Sequence, residues 1–212
     1  MAQPIDRIYY YTPEQYLALE DAAVYKSEYY DGEIFAMAGA SNNHIRLSKN
    51  FTRVLDDAFE DGSCETFPAE MKVQSKNKDF YTYPDIVVIC GEADYVDGRD
   101  DTITNPTAII EILSASTRKY DQGDKFTLYK EFETLQCYVL VDSKKINIEV
   151  RQKQADGVWT SQTYQNMNDI LKLPTLDFET PIANIYRRVE FKKQPRHPRV
   201  KKPEVNQNGS TN

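Results

Sequence analysis

Two acidic residues stand where acids are costly. Glu111 lies inside the apolar run TAIIEILS at 107–114, and Asp85 follows Pro84 at the mouth of YPDIVVIC at 83–90. Strand side chains alternate, so Glu111 shares a face with Ile109 and Leu113, while Ala108, Ile110 and Ile112 take the other. A buried, unpaired carboxylate costs several kcal/mol, so Glu111 must be paired, protonated or bound to a metal. A buried salt bridge to Lys or Arg is one outlet. A shared cation is the other: carboxylates on neighbouring strands raise each other's pKa unless positive charge lies between them. Mg²⁺ accepts one or two carboxylates together with waters and phosphate oxygens. Alone, the Pro84-Asp85 pair also reads as an ordinary turn or strand start.

Lys125 supplies a cation. Asp121, Lys125, Leu128 and Phe132 fall at i, i+4, i+7 and i+11, one face of a helix. Two of the four are apolar, which turns Lys125 inward; the alternative is an Asp121–Lys125 surface pair. His44 sits in the first turn of an earlier helix, beside the Leu47–Phe51 stripe, as a cleft-facing ring or as a capping or packing residue. Arg46, Lys49 and Arg53 form a basic stripe at i, i+3 and i+7, either a phosphate-binding row or a solvated face.

These residues need a scaffold. Thr12 followed by Pro13 predicts an N-cap and a helix through YLALED. SEYYDGEIFAMAG predicts two short strands folded about Asp31-Gly32. Ser41 to Asn43 cap a helix over roughly 43–60, with Leu47, Phe51, Val54 and Ala58 inward. Residues 64–75 alternate loosely as one strand. The runs at 83–90, 107–114 and 137–142 read as strands covered on both faces, with a helix over 118–132 between the last two. INIEVRQ, ADG and VWTSQTYQ predict a final hairpin. Strand, strand, helix, strand implies an α/β fold with a mixed sheet and a crossover helix.

The chain has 212 residues, suited to one domain with a small appendage. No apolar run reaches the roughly 18 residues of a membrane span, and the first residues lack an export signal. Cys64, Cys90 and Cys137 are odd in number and widely spaced, so disulfides and zinc are not expected and a reducing cytosol fits. The net charge is −7, yet residues 187–202 carry eight Lys or Arg against one Glu. Residues 1–186 hold 18 basic and 31 acidic residues, a net charge of −13, which opposes a phosphate backbone unless cations gather on one face. We expect a domain over 1–191 and a basic, polar, disordered tail over 192–212.

Three segments together resemble the Uma family of restriction-endonuclease-like proteins, in the PD-(D/E)XK superfamily. They are Tyr83-Pro84-Asp85-Ile86-Val87-Val88, Ile110-Glu111-Ile112-Leu113-Ser114, and Tyr120-Asp121-x-Gly123-x-Lys125-Phe126-x-x-Tyr129. The likeness extends over most of 12–186, including Asp31-Gly32-Glu33 and Asn43-His44. It implies a restriction-endonuclease-like mixed sheet flanked by helices. The superfamily's lysine stands two places after the acid, where this chain has Leu113; the resemblance moves that role to Lys125. By the same resemblance Asp85, Glu111 and the Ile112 carbonyl would hold Mg²⁺, or Mn²⁺ in its place. Glu28 is the preferred match for a further acid, with Glu33 behind it, and His44 and Asp121 support the site. The implied reaction is hydrolysis of DNA to a 5′-phosphate and a 3′-hydroxyl, with a homodimer as the paired form of many relatives. Two other readings stay open: an adaptor that binds nucleic acid or protein on the same fold, and a glycoside hydrolase using Asp85 and Glu111.

Overall fold

A computed structural model describes residues 9–191; the basic segment from 192 onward lies outside them. Helix α1 (Pro13–Ala22) precedes β1 (Ser27–Tyr30) and β2 (Glu33–Ala36). Helix α2 (Asn42–Phe59) leads to β3 (Cys64–Pro68), β4 (Lys72–Gln74), β5 (Phe80–Thr82), β6 (Ile86–Cys90) and β7 (Thr102–Ile103). Next come β8 (Ala108–Leu113), α3 (Arg118–Gln122), α4 (Asp124–Tyr129) and β9 (Cys137–Asp142). The chain closes with β10 (Ile148–Lys153), β11 (Trp159–Tyr164), β12 (Ile170–Leu173), β13 (Phe178–Pro181) and α5 (Ile182–Ile185).

The fold is mixed α/β, as the sequence predicts. A six-stranded sheet runs β11-β10-β9-β8-β6-β3, with β8 and β9 parallel and its other pairs antiparallel. Every residue of β8 and β9 is buried, which explains why both read as unbroken apolar runs. Ala108, Ile110 and Ile112 pack with Leu47, Phe51 and Leu55 of α2. Ile109 and Leu113 pack on the opposite side with Tyr129, Phe132 and the second sheet. That sheet runs β2-β1-β5-β4-β7. Glu111 thus faces the space between the two sheets, where α4 enters.

Local chemistry sets the element ends. Thr12 accepts from the Gln15 amide while the Gln15 side chain accepts from the Thr12 amide, a reciprocal cap for α1. Asp31 and Gly32 both have positive φ, 45° and 89°, the turn that suits a two-residue hairpin. Gly32 is required there: a Cβ would meet the Tyr10 ring at 2.7 Å.

Four expectations need correction. The helix predicted over 118–132 is two short helices, broken at Gly123, whose ψ of −92° leaves helical values. The strand predicted over 64–75 is β3 and β4, which belong to different sheets. In α2 the inward positions after Val54 are Leu55 and Phe59, and Ala58 is exposed. The fourth concerns Cys64 and Cys90, which form a disulfide. They sit directly opposite one another in the β3–β6 pairing, a register that wide spacing in the sequence conceals.

Candidate active site

The site begins where two strands part. β6 starts at Ile86, opposite Ile110, but β8 continues to Leu113 beside β9. Pro84 cannot donate to a ladder, and the Asp85 carboxylate takes the vacant place, its Oδ2 accepting from the Ile112 amide at 2.7 Å. A strand residue points its N–H and C=O to the same edge, so the Ile112 carbonyl opens on this gap too. Asp85 Oδ1 lies 2.7 Å from His44 Nε2. The first turn of α2 holds His44 there, with Ser41 accepting from the His44 amide.

Glu111 is the next side chain along β8. Its Oε1 accepts from the Tyr129 hydroxyl at 2.8 Å and lies 2.9 Å from Lys125 Nζ. Lys125 donates equally to Glu28 Oε1, also at 2.9 Å. The same Glu28 oxygen accepts from the Thr82 hydroxyl and, at 3.4 Å, from the Tyr83 amide. Glu111 is 4% exposed and Lys125 5%, so this is a buried cluster and not a surface pair. The described residues give Glu111 Oε2 no hydrogen-bond partner.

Burial dominates the electrostatics. It pushes the Glu111 carboxyl up to about 8; Lys125 opposes that, and Asp121, Asp85 and Glu28 reinforce it. Burial would also disfavour the charged Lys125, but Glu111, Tyr129, Glu28 and Asp121 outweigh it and hold the ammonium protonated. Asp121 is raised by burial, with Lys125 and a Thr117 hydrogen bond pulling back. Of the four carboxylates here, Glu111 and Glu28 share the Lys125 ammonium, Asp85 has His44 and the Ile112 amide, and Asp121 has no ion pair among the described residues. Positive charge is in deficit here.

Glu28, His44, Asp85, Glu111, Ile112 and Asp121 all line a single cleft of about 1250 Å³. Among the described residues no three His, Cys, Asp or Glu side chains stand together as a metal cluster. Asp85, Glu111 and the Ile112 carbonyl are the oxygens that could hold an ion here, with water for the rest. That sparse oxygen set fits Mg²⁺, which keeps several waters.

The structure brings together Glu111, Lys125 and Glu28 directly, and seats Asp85 beside them through Ile112. Lys125 makes no contact with Asp85. Glu33 is exposed at the hairpin end and does not line the cleft. The basic stripe on α2 is divided. Arg46 turns to the Arg188 carbonyl at 2.7 Å and to Glu190, so it clamps the C-terminal segment instead of facing the cleft. Arg53 lines the cleft but is paired with Asp57 at 2.8 Å; Lys49 lines it unpaired among the described residues. Tyr129 enters the sequence analysis only within the family resemblance, without a role, and Thr82 does not enter it. Tyr129 was legible, since it follows Lys125 by one helical turn; Thr82 had no signal beyond lying near Asp85.

The chain is similar to known proteins in fold and in sequence. A solved structure from Anabaena variabilis, described as "a putative nuclease belonging to DUF820", superposes with a TM-score of 0.69 over 83% of this chain and 97% of its own, at 17% identity. That likeness shows the fold. An uncharacterised protein of Synechocystis sp. is 37% identical over 182 residues, covering 85% of this chain and 93% of its own length. A second from the same organism is 38% identical over 148 residues, 70% of this chain and 84% of its own. The Uma2 family, described as "Putative restriction endonuclease", matches residues 13–183. With its fold, its cleft and these relatives, the chain belongs to the Uma2 family.

Proposed function

We propose that the chain is a Mg²⁺-dependent endonuclease that hydrolyses phosphodiester bonds in DNA. One observation carries the reading: buried Glu111 shares its single ammonium with Glu28, and burial together with nearby Asp121, Asp85 and Glu28 raises its carboxyl pKa. Without a further cation the arrangement is costly; with one it becomes useful. Asp85, Glu111 and the Ile112 carbonyl would hold the ion. When bound, a divalent ion supplies Lewis-acid polarisation of the phosphate and an acidified water.

The chain's own residues do the rest. His44 and the Ile112 amide fix both oxygens of Asp85. Tyr129 anchors Glu111 by one oxygen, and Glu111 lines the cleft. Lys125, held protonated but not on the cleft wall, places a fixed positive charge behind Glu111, where it offsets the extra charge of the transition state. Glu28 holds that ammonium in place. Membership of this family favours phosphodiester over glycosidic chemistry for the carboxylate pair.

A second reading, an adaptor without catalysis, is favoured by the saturation of Lys125, whose ammonium already bonds two carboxylates as a structural ion pair does. The deciding experiment is cleavage of labelled single- and double-stranded DNA in Mg²⁺ and in EDTA, by the wild type and by Glu111→Gln. Metal-dependent cleavage that Glu111→Gln abolishes is the expected result. DNA binding that ignores both the metal and the substitution would support the adaptor instead.

A further inference from the structure

The cleft has a feature that carboxylate chemistry does not require. β1 and β2 place Phe35 directly opposite Glu28. Opposed residues share a face with Cβ atoms about 5 Å apart, and the two-residue alternation adds Lys26, Tyr30, Met37 and, at the hairpin end outside the cleft, Glu33 to that face. The pairing extends past the strand ends through a Met37 amide bond to the Lys26 carbonyl. An aromatic ring therefore stands beside a site carboxylate, and it is 47% exposed; Tyr30 and Met37 are 40% and 37% exposed. The opposite wall is α2, which presents Ile45 at 54% exposure.

Cations on this cleft are few. Of Lys26, Lys49, Arg53 and Lys144, which line it, Lys26 is paired with Glu70 and Arg53 with Asp57. Lys49 and Lys144 are left without an ion pair among the described residues. Duplex binding draws its affinity from many neutralised phosphates, and a chain of net charge −7, with its basic residues gathered at 187–202 and two unpaired cations at the cleft, is poorly made for it. Single-strand binding adds aromatic platforms on which bases stack. A duplex hides those base faces; an unpaired strand exposes them.

We propose that the DNA this cleft takes is unpaired, its bases lying against Phe35 and Met37 while the adjoining phosphate reaches Asp85 and Glu111. The proposal rests on the nuclease reading and names its substrate class. Stacking supplies the affinity that the acidic surface withholds, and the hairpin wall sets the strand's position relative to the carboxylates.

Fluorescence anisotropy with the full chain, in Ca²⁺ in place of Mg²⁺, tests this using one short labelled sequence as single-stranded DNA, blunt duplex and single-stranded RNA. Single-stranded DNA should bind about tenfold more tightly than the duplex, the worth of one stacked base. Phe35→Ala should remove most of that preference and Phe35→Trp should retain it, with the melting temperature of both unchanged because the ring is half exposed. Equal or tighter duplex binding, or indifference to Phe35→Ala, would overturn the proposal. Tighter binding of the RNA would overturn the assignment to DNA. Duplex cleavage that depends on metal and Glu111 would leave the nuclease reading intact while this proposal fell. If no DNA were cleaved, the anisotropy result would still decide between unpaired and paired DNA.

Discussion

Lys125 Nζ lies 2.9 Å from Glu111 Oε1, and both side chains are at least nine-tenths buried. The same ammonium reaches Glu28 at 2.9 Å. α4 delivers the lysine, β8 the first acid and β1 the second, so one cation ties a helix to both sheets. The tie is structural as well as chemical.

Removing the cation strands its partners. Lys125→Met should destabilise the fold by about 3 kcal/mol, chiefly because the largely buried Glu28 carboxylate loses its cation. Adding Glu28→Gln to that background should recover part of the loss, since the two changes are coupled. Guanidinium unfolding of the two single variants and the double variant measures this. Additive losses would show that the pair does not interact.

The raised pKa of Glu111 has a direction in pH. An unfolded glutamate ionises near 4.5, whereas Glu111 in the fold ionises at about 8. Between those values the unfolded state binds fewer protons, so the stability of the metal-free protein falls as pH rises through that window. The fall should be about 1 kcal/mol per pH unit, and Glu111→Gln should flatten it. Melting temperatures from pH 5 to pH 8, in EDTA, provide the comparison. A wild type that grows more stable over that range would contradict the assignment.

The acids were legible because each interrupts a pattern: Glu111 breaks an apolar run, and Asp85 opens one after a proline. Lys125 was legible because a helical face can be counted in sequence even though Gly123 splits that helix in two. The clustering of Glu28, Thr82 and Tyr83 about one oxygen was not, since it depends on how β1 and β5 pair. Short strands such as β4 and β7 leave too few residues for any periodicity to show. Arg46 belongs to a countable stripe, but its partners lie more than 140 residues away, in the C-terminal segment.

The Cys64–Cys90 disulfide also came from register and not from spacing. It closes a loop across a sequence separation of 26, which by chain constraint stabilises the fold by about 3 kcal/mol. Dithiothreitol should lower the melting temperature of the wild type by several degrees and leave that of Cys64→Ala/Cys90→Ala unaffected. No effect on the wild type would mean that the two thiols are not joined in solution.

The central claim is that Asp85 and Glu111 hold a divalent cation, and calorimetric titration with Mn²⁺ tests it most directly. Because burial keeps Glu111 protonated up to about pH 8 in the empty site, binding near neutrality should release a proton and tighten as pH rises toward that value. The account predicts one ion per chain for the wild type, with affinity at least about tenfold weaker in Glu111→Gln, a loss of one charged ligand. Wild-type protein that takes up no Mn²⁺ at millimolar concentration, or binds it as tightly after Glu111→Gln, would contradict it.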